Sequence, residues 1–436
     1  MNSKKVLNNA KWIIICKIVQ SVIQLVVGML CARFLGPDNS GLINYAASIA
    51  AFVTPVMRLG FDATLVRELV ESPEKEKEIM GTSLLLNFIS SIVCVGSVTL
   101  FATFMNMGQG EVILVCFLYS ISLCFGAMEM IQYWYQYKLM SKYSSLVALT
   151  SYIIVSLYKI FLLVSAKNIY WFALSHSVEY GTIALILIAI YLKKGSGFAF
   201  SFNIAKSMLS RSKHYIAASL MLVVIQHTDH IMLTTMVGTE ENGYYSAAIT
   251  TTTVVQFVYM AIVDSFRPLI LQNKKDNSPE YELNTTRLYS IILYLALAQS
   301  IVFTLLAGLI IKILYGADFS NAVPVLQILS WYLMFSFMGV VRNVWILAEG
   351  KQKYLWRINL TGALFNIVFN TILIPFYGAK GAAFASFMTQ LFTNFILGFI
   401  IKEMRPNNRL ILKSLNPVFF FKELRKILNM IVKRKT

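Results

Sequence analysis

The stretch FLGPDNSGLINYAAS (34–48) returns 202 residues further along as MVGTEENGYYSAAIT (236–250). At the same offset Lys11 meets Lys213, Gln24 meets Gln226, Gly36 meets Gly238, Gly41 meets Gly243, Ala46 meets Ala248 and Asp62 meets Asp264. So many identities at one spacing read as an internal repeat, not as glycines recurring by chance in short loops. In each copy a short polar turn separates two apolar runs. Such a turn needs a helix stop and a positive-φ position, and glycine supplies both. Gly36, Gly41, Gly238 and Gly243, with Asp62 and Asp264 at the far ends of the repeated segments, are therefore the structural or gating candidates.

The chain around these turns has 436 residues, 57% of them hydrophobic and 14% charged, where a soluble domain carries roughly 25% charged residues. Apolar runs of about 17 to 25 residues recur throughout, each long enough to cross about 30 Å of hydrocarbon as a helix. They predict spans at 13–34, 42–59, 82–105, 112–133, 146–165 and 169–192 in the first half, and at 216–237, 244–262, 288–314, 325–348, 358–376 and 382–401 in the second. The expected fold class is all-α, a polytopic membrane protein of about twelve transmembrane helices. An even number of spans separates the two copies, so both enter the membrane in the same sense. That predicts two six-helix bundles related by a pseudo-two-fold axis along the membrane normal, with a central cleft. The expected division is 1–205 for the first bundle, 206–402 for the second and 403–436 for a basic amphipathic tail. The segment KKGSGFAFSFNIAKSMLSRSKHY (193–215) is the linker between the halves.

Lys and Arg near span ends stay on the cytoplasmic side. One set of connections holds Lys4, Lys5, Arg67, Lys75, Lys138, Lys193, Arg211, Arg267, Lys274, Lys351 and the tail, whereas the opposite set holds only Lys167, Lys312 and Lys380. Both termini are thus predicted to be cytoplasmic. The net charge of +17 reflects this bias toward a face opposed to anionic lipid, and nucleic-acid binding is not expected.

The segments ARFLGPDNSGLINYAAS (32–48), RLGFDATLVRE (58–68), HTDHIMLTTMVGTEENGYYSAA (227–248) and NIVFNTILIPFYGAKGAAFAS (366–386) resemble the polysaccharide transporters of the multidrug/oligosaccharidyl-lipid/polysaccharide exporter superfamily. In character they are closest to the Wzx-type flippases of O-antigen or capsule repeat units. The resemblance covers nearly the whole chain up to about residue 402. It implies alternating-access transfer of undecaprenyl-pyrophosphate-linked oligosaccharide from the cytoplasmic to the outer leaflet of a bacterial inner membrane. It implies no cofactor, with transport driven by an ion gradient or the membrane potential. It also implies membrane lipids, a polysaccharide polymerase and a chain-length regulator as partners. The alternative within the superfamily is an antiporter of drugs or organic ions.

An ionised side chain at mid-bilayer costs about 2.5 to 3.5 kcal/mol on insertion scales, so each one needs an account. Lys17, Gln20 and Gln24 fall at helical spacing on one polar face of the first span, with Arg33 toward its other end. Arg58 closes a polar stripe along the second span, four residues from Asp62, and the two can form an ion pair. Lys159 lies in the fifth span, Arg342 in the tenth, and Asn366 and Asn370 on one face of the eleventh. A pyrophosphate needs several positive groups to replace its hydration, so these residues are the candidate substrate-binding set. The bland account is that Lys17, Arg33 and Lys159 snorkel to the head groups, and that the asparagines join helices. Asp229, which matches the family's acidic position in the seventh span, is the first candidate for ion coupling. His227 beside it and Glu179 in the sixth span are the others.

Other chemistries lack their residues. There is no G-x-x-x-x-G-K-[ST] loop for nucleotide hydrolysis. The five cysteines lie inside spans without paired spacing, and His227 with His230 have no third ligand in view, so neither disulfide nor metal is expected. The outer connections GPDNSG, NMGQGE, AKN, GTEENG and YGAKG are too short to house the acceptor site of a membrane glycosyltransferase or polymerase, and no enzyme activity is predicted.

Overall fold

The computed structural model describes residues 3–138, 140–422 and 425, with the side chains of 3–15, 17, 18, 141, 214, 218 and 222 outside the description. Among the described residues there is no strand. The helices run α1 (Ser3–Met57), α2 (Phe61–Glu71), α3 (Glu76–Met105), α4 (Gly110–Ser120), α5 (Ser122–Gly126), α6 (Ile131–Tyr137), α7 (Ser141–Val164) and α8 (Ile169–Lys194). They continue as α9 (Phe202–Val237), α10 (Thr239–Thr253), α11 (Gln256–Lys275), α12 (Glu280–Leu314), α13 (Ala322–Ala348), α14 (Leu355–Leu391), α15 (Leu397–Ile400) and α16 (Arg405–Ser414). A π-helical turn, Phe392–Ile396, joins α14 to α15.

Eight of the helical stretches are long and apolar enough to cross a membrane, or up to ten if each of two bent pairs is one span. The protein is a multi-pass membrane protein. Two of the stretches, Val19–Glu71 and Gln352–Ile400, have 53 and 49 residues. A helix of 50 residues would be about 75 Å long, more than twice the hydrocarbon thickness. Each is broken at a glycine with non-helical backbone, Gly36 (φ 74°) in α1 and Gly378 (φ 54°) in α14. Those two breaks fall where the sequence predicts turns between the first and second and between the eleventh and twelfth spans. Large apolar side chains point outward, among them Leu185, Leu305 and Phe376, exposed by 73%, 77% and 79%. In water that surface would be untenable; against lipid tails it costs nothing.

The chain forms two compact units, Met1–Gly243 and Tyr244–Thr436. In the first, α1 packs against α3, α4, α7 and α9. The second repeat copy begins with α9, and that helix packs within the first unit. One cluster of this unit gathers Tyr45, Ile49 and Met57 with Val98, Val115 and Cys116. Another stacks Trp134 edge-on to both Tyr135 and Tyr191. Buried Glu76 ties the connections together: its carboxylate accepts from Trp134 Nε1 (2.8 Å) and Ser196 Oγ (2.9 Å) and pairs with Lys138 Nζ (2.8 Å). The extended segment before α9 is fastened by Ala199 N donating to the Lys77 carbonyl and Ser201 N donating to Thr82 Oγ1.

In the second unit α13 packs between α12 and α14, with Tyr259 stacked on Phe337 at 3.9 Å. After the last apolar stretch, α16 lies against α12. Tyr289 Oη donates to Asn407 Oδ1 (2.7 Å), Tyr294 Oη to the Leu415 carbonyl (2.8 Å), and Lys413 pairs with Glu282 (3.1 Å). The start of the predicted amphipathic tail is therefore a docked helix. Leu424, Lys426, Leu428 and Ile431 of that tail lie outside the described residues.

Candidate functional site

The two glycine turns of the repeat meet within the first unit. Gly36 (φ 74°) and Gly238 (φ 112°) each break the helix, and Pro37 and Thr239 stand at the same repeat position beyond them. A Cβ on Gly41 would collide with the carbonyl of Thr239, and a Cβ on Gly243 with the carbonyl of Pro37. The contact is thus reciprocal: each glycine touches the residue that corresponds to the one touching its counterpart. Two polar bonds cross the same seam. Thr239 Oγ1 donates to the Asp38 carboxylate, and Asn242 Nδ2 donates to the Gly41 carbonyl at 2.9 Å. Behind them His230 Nδ1 is 2.7 Å from Asn242 Oδ1, and His227 Nδ1 is 3.2 Å from Ser48 Oγ on α1. Asp229, between the two histidines in sequence, is buried (5% exposed).

A second polar group lies around the end of α1, the turn that follows α5, and helices α7 and α8. Arg58 forms its ion pair with Glu129, Nη2 to Oε2 at 2.8 Å, both side chains about a quarter exposed (26% and 22%). Asp62, the partner that spacing along α1 and α2 suggests, contributes only at longer range. The charge of Glu129 is felt at Glu179 and that of Glu179 at Tyr119 and Tyr180; Lys159 acts on Glu179 and on His176. His176 stacks against Tyr119, with Nδ1 3.4 Å from the phenol oxygen. Glu179 and Lys159 thus lie in the neighbourhood of the Arg58–Glu129 pair inside the first unit. Beside the pair is a cavity of about 160 Å³ lined by Ala47, Ala51, Thr54, Arg58, Tyr119 and Tyr180. The alanines leave the space. It is well below the roughly 300–1,000 Å³ of pockets for drug-sized ligands, so it suits ions and water, not an oligosaccharide.

The other predicted substrate-binding residues of the first unit lie on α1 before its break at Gly36. Gln20 is half-buried, Gln24 and Arg33 are exposed, and the Lys17 side chain lies outside the described residues. In the second unit Arg342 is buried (6% exposed) and has no carboxylate partner among the described residues. Its Nη1 donates to the Thr393 carbonyl at 2.8 Å and its Nη2 to Asn343 Oδ1 at 3.2 Å, while Nε finds no partner. Thr393 is in the π-helical turn, where one extra residue per turn frees a carbonyl from the helical ladder. Asn408 of α16 donates in the same way to the Phe395 carbonyl at 2.7 Å. Asn366 and Asn370 are both buried, and Asn370 Nδ2 donates to Asn366 Oδ1 at 3.1 Å. Asp264 is exposed and pairs with Arg267 one turn on, at 3.2 Å. Asp62 is half-buried in the first turn of α2, where a carboxylate suits the helix dipole. No group of three or more potential metal ligands occurs among the described residues.

Residues 6–274, well over half of the chain, match the family model described as polysaccharide biosynthesis protein. The chain belongs to that family. Among curated relatives it is 22% identical, over 88% of its own length and 96% of the other's, to the capsular polysaccharide biosynthesis protein CapF of Staphylococcus aureus. It is 26% identical over 57% of its length to an uncharacterised membrane protein of Methanocaldococcus jannaschii, of which the match spans about half (53%). Solved structures that share its fold include a transporter and a flippase. One is a multidrug resistance MATE family transporter in an inward-facing conformation, with TM-score 0.67, 13% identity, and 90% of this chain and 96% of the other covered. The other is the lipid II flippase MurJ in an inward closed conformation, with TM-score 0.66, 16% identity, and 95% and 92% covered. The fold is thus that of the exporter superfamily which the sequence resembles, and these structural neighbours are transporters and flippases.

Proposed function

We propose that this member of the polysaccharide biosynthesis family is a flippase. It moves undecaprenyl-pyrophosphate-linked oligosaccharide repeat units from the cytoplasmic to the outer leaflet of a bacterial inner membrane by alternating access, with both termini cytoplasmic. The observation that carries this reading is the pairing of a polysaccharide biosynthesis family match with a fold shared with a lipid flippase over nearly the whole chain. The physical task is consistent with it. A polyprenyl tail stays in lipid at no cost, whereas its pyrophosphate and sugars need a polar path, since burying that head group unpaired would cost many kcal/mol.

In this mechanism the polar face of α1, with Lys17, Gln20, Gln24 and Arg33, meets the pyrophosphate first. Arg58 and Lys159 then serve less as ligands than as counter-charges to Glu129 and Glu179. Those two carboxylates, with Asp229 and His227, are the groups that would carry a proton or metal cation between access states. Arg342, donating to a backbone carbonyl, acts on the substrate through the position of the last span unless its free Nε reaches the head group.

The test is deletion of the gene followed by mass analysis of polyprenyl-linked intermediates. Accumulation of one complete repeat unit supports the reading; an unchanged lipid-linked pool with altered drug sensitivity would instead make the protein an antiporter of drugs or organic ions. Lys17→Ala should reduce surface polysaccharide strongly with normal membrane levels, and Lys17→Arg should retain part of it. For Asp229→Asn, transport in proteoliposomes under an imposed pH gradient is the measurement, and unchanged gradient dependence would remove Asp229 from coupling.

A further inference from the structure

The segment that leads from α8 into α9 reads KKGSGFAFSF (193–202). Between Gly195 and Ser201 it is not helical, and exposed residues alternate with half-buried ones from 196 to 202, the period of an extended chain. Ala199 and Ser201 turn inward. Ala199 N donates to the Lys77 carbonyl and Ser201 N to the buried Thr82 Oγ1, both at 3.0 Å. The approach is so close that a Cβ on Gly81 would collide with the main chain of Ala199. Phe198, Phe200 and Phe202 turn the other way and are exposed by 38%, 52% and 73%. Phe198 stacks on Tyr191 at 4.8 Å. It also forms one wall of a crevice of about 240 Å³ whose other walls are apolar, Leu85 and Phe88 of α3 and Ile188 of α8 among them. Leu85 and Phe88 are themselves exposed, as are Ile89 and Ile92 further along α3 and Leu185 and Leu192 on α8. The crevice and the phenylalanines therefore continue the lipid-facing surface of these two helices.

We propose that residues 198–209 are an interfacial anchor whose partner is the anionic lipid surface of the membrane at the end of α8. Depth is the first argument. The segment starts where the apolar run of α8 stops at Lys193 and Lys194, and it crosses α3 where that helix's own apolar run begins. Non-helical backbone is not tolerated among lipid tails, so the main chain lies at the head groups and the phenyl rings reach toward the tails. The first turns of α9 carry the same pattern. Ala205 and Met208 are buried, whereas Phe202, Lys206 and Leu209 are exposed together on another side, and a helix with Phe, Leu and Lys so arranged lies in the interface. Charge completes the fit. Between 193 and 213 there are five Lys or Arg and no Asp or Glu. Arg211 is taken up by Glu68 and Glu71, while Lys193 and Lys206 are exposed and suit anionic head groups. Bonded to α3 on one side and wetted by lipid on the other, the anchor sets the depth at which α9 begins.

The experiment uses the full chain with Cys16, Cys31, Cys94, Cys116 and Cys124 replaced by Ser, in vesicles of phosphatidylcholine and phosphatidylglycerol. Phe200→Cys, Phe202→Cys and, as the control, the exposed Glu74→Cys each carry a nitrobenzoxadiazole fluorophore. A phospholipid with a nitroxide high on its acyl chain should quench the fluorophore at 200 and 202 about threefold more than at 74, and aqueous iodide should do the reverse. Quenching by iodide alone would overturn the anchor. Protection from both quenchers would put protein over the phenylalanines and overturn it as well. The charge is read by moving the nitroxide between lipids. At 202 nitroxide-labelled phosphatidylglycerol should quench about twofold more than labelled phosphatidylcholine, and Lys193→Gln with Lys206→Gln should remove that preference while leaving quenching by phosphatidylcholine in place. Equal quenching by the two lipids before the lysines are changed would overturn the anionic surface as partner. Gly81→Ala tests the inward side: its Cβ meets main chain, so it should displace the segment and raise iodide quenching at 200 about twofold. Unchanged quenching would overturn the fastening to α3. None of these readouts involves transport, so failure of the proposed cargo would leave them standing.

Discussion

The glycine seam of the first unit and the arginine clamp of the second both bring a helix to another segment's backbone, and they do it by opposite means. At the seam, side chains are removed: Gly41 and Gly243 let two turns touch main chain to main chain. At the clamp, a long side chain is inserted: Arg342 crosses from α13 to the Thr393 carbonyl in the π-helical turn, and Asn408 reaches Phe395 from the other side. The first arrangement is intolerant of added atoms, because what they would meet is main chain. The second spends a buried guanidinium to hold an irregular backbone, and such backbone survives at membrane depth only where protein satisfies it. The seam depends on what is absent at two positions, the clamp on what one side chain supplies.

The largest effect should come from the seam. Gly41→Ala and Gly243→Ala should each lower stability by about 3 kcal/mol, the upper part of the range for overpacking, because the atoms they meet are backbone. The double variant should cost clearly less than the sum, since one added methyl already pries apart the shared contact; thermal melting in detergent reads both, and strict additivity would mean two independent contacts. Next comes the clamp. Arg342→Lys should cost about 2 kcal/mol, because the charge stays buried while the planar fork is lost. Arg342→Met should cost about 1 kcal/mol, since leaving the Thr393 carbonyl unpaired is partly offset by no longer desolvating a cation. A methionine variant less stable than the lysine variant would break the comparison, and lost export with unaltered melting would assign Arg342 a ligand. A smaller effect is expected at Gly339, where an added Cβ would meet the Asn394 amide at 2.5 Å. That amide can swing away, so Gly339→Ala should cost about 1 kcal/mol, and a loss as large as that of Gly41→Ala would erase the distinction between backbone and side-chain neighbours. Last, Lys413→Ala should leave melting unchanged, because its pair with Glu282 is largely exposed on both sides.

Much of this contrast is visible in the chain before it folds. The seam is legible because its determinants are local and repeated: a positive-φ glycine, then a small residue one turn into the next helix, at one offset. The clamp is only half legible. Arg342 stands out as a cation in an apolar run, but its acceptor is the carbonyl of residue 393, and nothing in the residue types at 392–396 announces a π-helical turn. The same limit applies to Arg58. Along the sequence its natural partner is Asp62, four residues on, yet the chain bends at Leu59 and Gly60, both with positive φ, and carries Asp62 into α2. The guanidinium then turns to Glu129, 71 residues away. Glu129 is recognisable in advance as a charge inside an apolar run, but not as this arginine's partner. The docking of α16 through Asn407, Asn408 and Tyr289 was likewise hidden, since amphipathic periodicity does not say whether the apolar side meets lipid or protein.

By itself, the sequence determined that this is a helical membrane protein with an internal repeat and glycine-broken turns, because hydrocarbon tolerates only backbones that satisfy their own hydrogen bonds, and run length and turn residues are written locally. Which charges face each other, which carbonyl is released for Arg342, and that two distant turns touch glycine to carbonyl were decided only by the tertiary structure. Those outcomes depend on helices far apart in the chain being packed to within a single atom's width, and no local propensity encodes that.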